Sequence, residues 1–230
     1  EARAKINPEK EWEKIKKENI KIVTPEDVAY PPLLKELYDL PALLYVKGTL
    51  PDGGDKFPLA VIGSRKVSPY GRQVIEEIVS ALARQSLTIV SGLAVGIDTK
   101  AHKNTLDAGG KTIAVLGSGL NERALFPQEN RIFFQRIVES GSTAISEYPP
   151  SMHALPQYFP QRNRIISGLS KGVLVIEARE KSGALITARF ALEHNREVCA
   201  IPGSIFSATA QGPNKLIQEG AKTVLSYRDI

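Results

Sequence analysis

Beyond residue 56 the apolar residues fall into short unbroken runs, set apart by longer stretches of helical period. Strand-length runs cover residues 59–62, 87–90, 112–116, 143–146, 173–176, 198–201 and 223–225. They do not alternate with polar residues, so each strand is expected to be covered on both faces, as in a parallel sheet. Val74, Ile75, Ile78, Val79 and Leu82 repeat at the spacing of one helix face, as do Ala184, Leu185, Ala188, Ala191 and Leu192. Strands separated by helices of this length suit right-handed crossover units. The pattern predicts an α/β fold: a doubly wound, mostly parallel sheet with helices on both faces.

Residues 1–56 read differently. Residues 8–19 form a short helix rich in lysine and glutamate, with Trp12 and Ile15 on one side. Thr24-Pro25-Glu26-Asp27 has the composition of a helix start, and Tyr30-Pro31-Pro32 breaks what precedes it. Residues 43–46 are strand-like and are closed by Gly48. Pro51-Asp52-Gly53-Gly54-Asp55 is a turn leading into the main unit. The expected division is therefore an N-terminal extension, 1–56, and a sheet domain, 57–230.

In a doubly wound sheet ligands bind beyond the carboxyl ends of the strands. The ends here are Gly63-Ser64-Arg65, Ser91-Gly92-Leu93-Ala94, Gly117-Ser118-Gly119, Ser146-Glu147-Tyr148, Glu177-Ala178-Arg179 with Ser182-Gly183, and Pro202-Gly203-Ser204. One glycine after a strand is ordinary turn chemistry. Small residues and hydroxyls at six ends on one edge make a shelf open to phosphate groups. Arg65 adds a bidentate cation there.

A dinucleotide cofactor does not fit this edge. No Gly-x-Gly-x-x-Gly follows the first strand, Gly117-Ser118-Gly119 lacks a third glycine, and no acid closes the second strand to hold a ribose. The phosphate loop of nucleotide triphosphatases is also missing, so no cofactor is expected. Asp98 and His102, four apart, share a helix face, but no third ligand accompanies them, so no metal is expected either. Glu147 and Glu177 close strands, and ion pairs with nearby arginines account for them as well as acid–base chemistry does. Cys199 lies within an apolar run and reads as a packed thiol.

Phe159-Pro160-Gln161-Arg162-Asn163-Arg164 brings two arginines together with no acid among them. Phe159 either offers a face to a nucleobase or anchors its loop in the core. A spacing of two directs Arg162 and Arg164 apart, which leaves one of them available to a carboxylate such as Glu147 or Glu177. The chain carries 30 basic and 25 acidic side chains, a net charge of +5 that suits a polyanionic partner. A single cysteine and the lack of any apolar run of membrane length suit a cytoplasmic setting.

Together these motifs resemble the DprA (Smf) family of DNA-processing proteins. The resemblance is carried by Val61-Ile62-Gly63-Ser64-Arg65, by Ser91-Gly92-Leu93-Ala94-Val95-Gly96-Ile97-Asp98, and by Phe159-Pro160-Gln161-Arg162-Asn163-Arg164-Ile165-Ile166. It continues through Ser182-Gly183-Ala184-Leu185-Ile186-Thr187-Ala188, Pro202-Gly203 and Gly212-Pro213-Asn214-Lys215-Leu216-Ile217. It spans residues 30 to 230 in the family's order. It implies an extended Rossmann-like domain that binds single-stranded DNA in natural transformation, protects the incoming strand and assists loading of the RecA recombinase, beside single-strand-binding protein. Such proteins act as homodimers without catalytic turnover. Carried over, Gly63, Ser64, Arg65, Gly119, Phe159, Arg162, Asn163, Arg164, Ser182 and Gly183 would line the DNA site. Leu216 and Ile217 serve either a dimer contact or the core. Residues 1–22 resemble the last helix of the family's N-terminal helical domain, the winged helix that some members carry near the C-terminus is not expected within residues 1–230, and Phe126 stands where the family commonly has tyrosine.

Two other readings remain. The shelf is also similar to that of the lysine-decarboxylase-like phosphoribohydrolases, which cleave nucleoside monophosphates. Their Pro-Gly-Gly-x-Gly-Thr-x-x-Glu signature is missing, since Pro202-Gly203 is followed by Ser204 and Ser182-Gly183 by Ala184. An interaction scaffold with a merely solubilising basic edge is the other reading.

Overall fold

The computed structural model of the chain describes residues 7–50 and 57–230. The turn expected at 51–55 lies outside them. Among the described residues nine strands form one sheet in the order β1-β2-β6-β5-β4-β3-β7-β8-β9. These are β1 (Lys21–Val23), β2 (Leu44–Gly48), β3 (Leu59–Ile62), β4 (Ile89–Ser91), β5 (Thr112–Leu116), β6 (Thr143–Ser146), β7 (Gly172–Val175), β8 (Glu197–Ala200) and β9 (Lys222–Thr223). From β6 to β9 every neighbouring pair is parallel, while β1 and β2 add antiparallel at the β6 edge. The chain winds outward from β3 to β6, then returns to place β7 against the other side of β3. The strand order therefore reverses between β3 and β7.

Side-chain alternation along each buried strand feeds two layers. Ala60 and Ile62 face one layer, with Ile165, Ile166 and Leu169 around helix α7 (Tyr158–Gly168) and Ala188 and Ala191 of α8 (Ala184–Glu193). Leu59 and Val61 face the other. They meet Val74, Ile75, Ile78, Val79 and Leu82 of the helical segment after β3, and Ile97 and Ala101 of α5 (Ile97–Asp107). That segment runs α3 (Pro69–Val74), a π-helical turn (Ile75–Val79) and α4 (Ser80–Arg84). Phe134 and Ile137 of α6 (Arg131–Glu139), with Ile15 of α1 (Pro8–Lys17), cover Ala114 and Leu116. Helices on both faces of a mostly parallel sheet are the arrangement that the unbroken apolar runs predict.

Three local expectations need correction. Residues 24–27 do not start a helix: the Thr24 amide and hydroxyl both donate to the Asp27 carboxylate, at 2.7 and 3.0 Å, and close a turn. The helix nearby is α2 (Pro32–Lys35), one turn long. The expected strand at 87–90 begins at Ile89, because the Leu87 amide still donates to Leu82 O to finish α4 and Ser86 takes a left-handed φ of 63°. β1 was not expected, since three residues are too few to show a period. It pairs with β2 at the sheet edge, and β2 in turn pairs with β6, so residues on both sides of position 56 share one hydrogen-bonded layer.

Candidate nucleic-acid interface

The crevice at the strand-order reversal opens beyond the ends of β3 and β7, where such sheets hold their ligands. Gly63 ends β3. A Cβ there would stand 2.7 Å from Ile97 Cγ1 and 2.8 Å from Glu177 O, so only glycine lets the three segments meet. The Ser64 amide donates to Glu177 O at 2.6 Å, and Ser64 O accepts from the Ile97 amide at 3.0 Å. Gly96, at a φ of 103°, brings its backbone so close that a Cβ would lie 2.3 Å from Ser64 O. The Ser64 amide is therefore occupied within the fold and is not open to a phosphate. What this pinned turn presents outward is Arg65 and Lys66, both exposed and, among the described residues, without an ion pair.

More cations follow neighbouring strand ends. Arg179 and Lys181 come after β7 and Arg123 after β5, each exposed and without an ion pair among the described residues. Glu180, between the first two, turns to Lys215 at 3.5 Å. Sequence reading left Lys66, Arg123, Arg179 and Lys181 out of the site. Their signal was only their position four to seven residues past a strand end.

Arg162 and Arg164 lie elsewhere than expected. Arg162 is 5% exposed; its Nη1 donates to Gly92 O at 2.6 Å and to Val115 O, and its Nε to Asn163 Oδ1 at 3.2 Å. It ties α7 to the ends of β4 and β5. Burial, with the charge of Arg65 as a lesser cause, lowers its pKa to about 10, while the Asp98 carboxylate acts in the opposite sense. Arg164 Nη2 donates to both Glu147 oxygens at 2.6 and 2.7 Å, and its Nε lies 3.3 Å from Asp39 Oδ2. Neither arginine offers an unpartnered guanidinium to a phosphate. The spacing of two does point them apart, and Glu147 is the partner that one of them takes.

The remaining expected residues divide. Phe159 is half-buried, its ring 5.5 Å from that of the more exposed Phe126, and Gly117 leaves room for it. Gly119 is buried beneath Pro149 and Pro150, so it is not part of an open shelf. Asn163 is buried and donates to Gly183 O at 3.4 Å. Ser182 Oγ accepts from the Ala184 amide at 3.3 Å, and Gly183 is exposed with open space where a Cβ would stand. Leu216, on α9 (Gln211–Gln218), packs against the core, and Ile217 is half-buried.

Asp98 and His102 do not converge on a common ligand. Asp98 Oδ2 accepts from the Gly92 amide at 3.1 Å, and His102 Nδ1 lies 2.6 Å from Thr112 Oγ1. Thr112 gives its one hydroxyl proton to Ile89 O at 2.6 Å, so His102 Nδ1 carries the proton and donates. Among the described residues no group of three His, Cys, Asp or Glu could hold a metal ion. The Glu177 carboxylate accepts from the Ser68 amide at 3.1 Å, from the Ser68 hydroxyl and from Thr209 Oγ1 at 3.0 Å. It thus braces the N-terminus of α3.

Residues 21–230 match the family model for DNA recombination-mediator protein A. The chain belongs to this family. It is 45% identical over 203 residues to DNA processing protein DprA of Bacillus subtilis, which covers 87% of this chain and 67% of that protein. Among solved structures, DNA processing protein A of Streptococcus pneumoniae superposes with a TM-score of 0.85 at 45% identity, covering 94% of this chain and 76% of the other. DNA processing protein A of Helicobacter pylori, solved for its single-stranded DNA binding mode, superposes with a TM-score of 0.80 at 28% identity, covering 91% and 93%. Family membership bears out the resemblance and, with these neighbours, the Rossmann-like fold. Among the described residues no helix is long and apolar enough to cross a membrane.

Proposed function

We propose that the chain binds single-stranded DNA along the carboxyl edge of its sheet, as a non-catalytic DNA-processing protein of transformation and recombination. The observation that carries this reading is the set of exposed cations without carboxylate partners, Arg65 and Lys66 at the β3 end and Arg179 and Lys181 at the β7 end. Cations at a strand-order reversal neutralise phosphates, and a half-buried aromatic such as Phe159 with Phe126 suits bases of any sequence. The single-stranded DNA binding mode of the Helicobacter pylori relative supports the same ligand. In this reading Arg65 and Lys66 take the phosphates, Gly183 lets the strand approach, and Arg162, Asn163 and Arg164 form the framework behind them. RecA and single-strand-binding protein are the proposed partners, and a homodimer using Leu216 and Ile217 is the proposed assembly. Fluorescence-anisotropy titration of single- and double-stranded oligonucleotides at two salt concentrations tests the reading. Tighter, salt-sensitive binding of the single strand is expected; equal affinity for both forms would overturn it.

A further inference from the structure

A second cavity on the same edge is not explained by phosphate binding. It has a volume of about 480 Å³ and lies between the ends of β7 and β8. Ile176 and Ile201, the residues that follow those strands, give it an apolar floor. Hydroxyls of Ser68, Ser207 and Thr209 and the Glu177 carboxylate line it, and no cation does. A carboxylate in a lining without cations disfavours a phosphate there and suits a neutral, flat, hydrogen-bonding group.

The cavity is also held open. Tyr70, half exposed at its side, is fixed by donation of its hydroxyl to Pro202 O at 2.7 Å. Asn214 donates to Gly203 O at 2.9 Å and accepts from the Gly203 amide at 3.1 Å, so the turn after β8 is clamped through both of its polar groups. The Ala178 amide donates to Thr209 O at 2.8 Å and fastens the far end of that loop to β7. At the tip of the loop Phe206 is 93% exposed, although its neighbours are tied down. Ser68 follows Arg65 by three residues, so their backbones are within about 11 Å of each other, on the order of one nucleotide's reach.

We propose that this cavity takes one unpaired nucleobase of the strand whose phosphate lies at Arg65. Tyr70 offers the ring face, Ile176 and Ile201 the apolar floor, and the Ser204 and Ser207 hydroxyls the hydrogen-bonding edge, since the Ser68 and Thr209 hydroxyls are already given to Glu177. A base engaged in a duplex cannot enter, so the cavity itself selects single strands. The inference rests on the strand-binding reading, and its test separates the two.

Affinities of the whole chain are compared for an oligothymidylate and for an abasic deoxyribose-phosphate strand of equal length and charge. The unmodified protein should prefer the thymidylate strand by about fivefold or more, the least that one stacked base contributes. Tyr70→Ala, which removes the ring, and Ser207→Trp, which fills the cavity, should each lower that preference by about fivefold or more while binding of the abasic strand is kept. Melting temperatures confirm that both variants fold. A preference unchanged in both variants, or absent from the unmodified protein, overturns the base site and leaves strand binding standing. An unmodified protein that binds neither strand overturns the strand-binding reading itself.

Discussion

Arg162 Nη1 donates to Gly92 O at 2.6 Å, and the fit is so close that a Cβ on residue 92 would stand 2.6 Å from the same nitrogen. A guanidinium from α7 thus closes the ends of β4 and β5, with the buried Asp98 carboxylate in its electrostatic field. Arg162→Ala should lower stability by roughly 3–5 kcal/mol, since it leaves two carbonyls and a buried acid without their cation. Gly92→Ala should destabilise as well, because the fixed guanidinium cannot retreat from the new methyl. Urea midpoints with unchanged m-values would record both losses. A neutral Arg162→Ala would show that the clamp holds nothing.

Arg164 differs from Arg162 in kind. Its charge is shared between Glu147 and Asp39, and its side chain is partly open to solvent. Removing it should cost on the order of 1 kcal/mol, as for partly screened ion pairs. Because the guanidinium is already neutralised, Arg164→Ala should leave the salt dependence of single-strand binding as it is. A flatter salt slope would mean that Arg164 leaves its carboxylates for a phosphate when DNA binds.

What the sequence reveals of this molecule follows the range of each signal. The parallel strands were legible because burial on both faces leaves unbroken apolar runs, and errors at their ends were about two residues. The Gly63-Ser64-Arg65 turn was legible as a strand-to-helix corner, because a glycine closing an apolar run marks a close approach of backbones, here to Ile97 and Glu177. The arginines of α7 misled, since a cluster without local acids looks free until the fold supplies Glu147, Asp39 and the carbonyls of Gly92 and Val115. Partners remote in sequence leave no local trace. The cavity at Tyr70 escaped for the same reason, being assembled from three separate stretches of chain.

His102 couples stability to pH. Burial first, and the charge of Arg162 second, hold its pKa down to about 3 in the folded chain, against about 6.5 when unfolded. Between those values the unfolded chain takes up a proton that the folded chain refuses. The contribution is therefore complete above pH 6.5 and is lost as pH falls toward 3, by up to about 1.4 kcal/mol per pH unit. His194, also lowered by burial, adds in the same direction, while Asp98, raised by burial, opposes it; both are common to parent and variant. His102→Asn keeps an amide donor for Thr112 and removes the titration. Denaturant unfolding from pH 7 to pH 4 should show a shallower decline in the variant, and parallel curves would count against the assignment.

Arg65 is the side chain on which strand binding should depend most simply. It is exposed and has no ion pair among the described residues, so its loss leaves no buried group orphaned and should shift stability by less than about 0.5 kcal/mol. In DNA binding it stands for one neutralised phosphate. Arg65→Ala should weaken single-strand binding alike for every sequence and reduce the slope of log affinity against log salt by about 0.7. Lys66→Ala should do the same to a similar extent, and the double variant should lose about twice the slope, because each cation displaces its own counterion. Arg65→Lys should recover the slope but not all of the affinity, since an ammonium cannot grip a phosphate with two parallel hydrogen bonds. Titrations at several salt concentrations with two unrelated oligonucleotides separate these outcomes. A loss confined to one sequence would make Arg65 a reader of bases, and an unchanged slope would remove it from the interface.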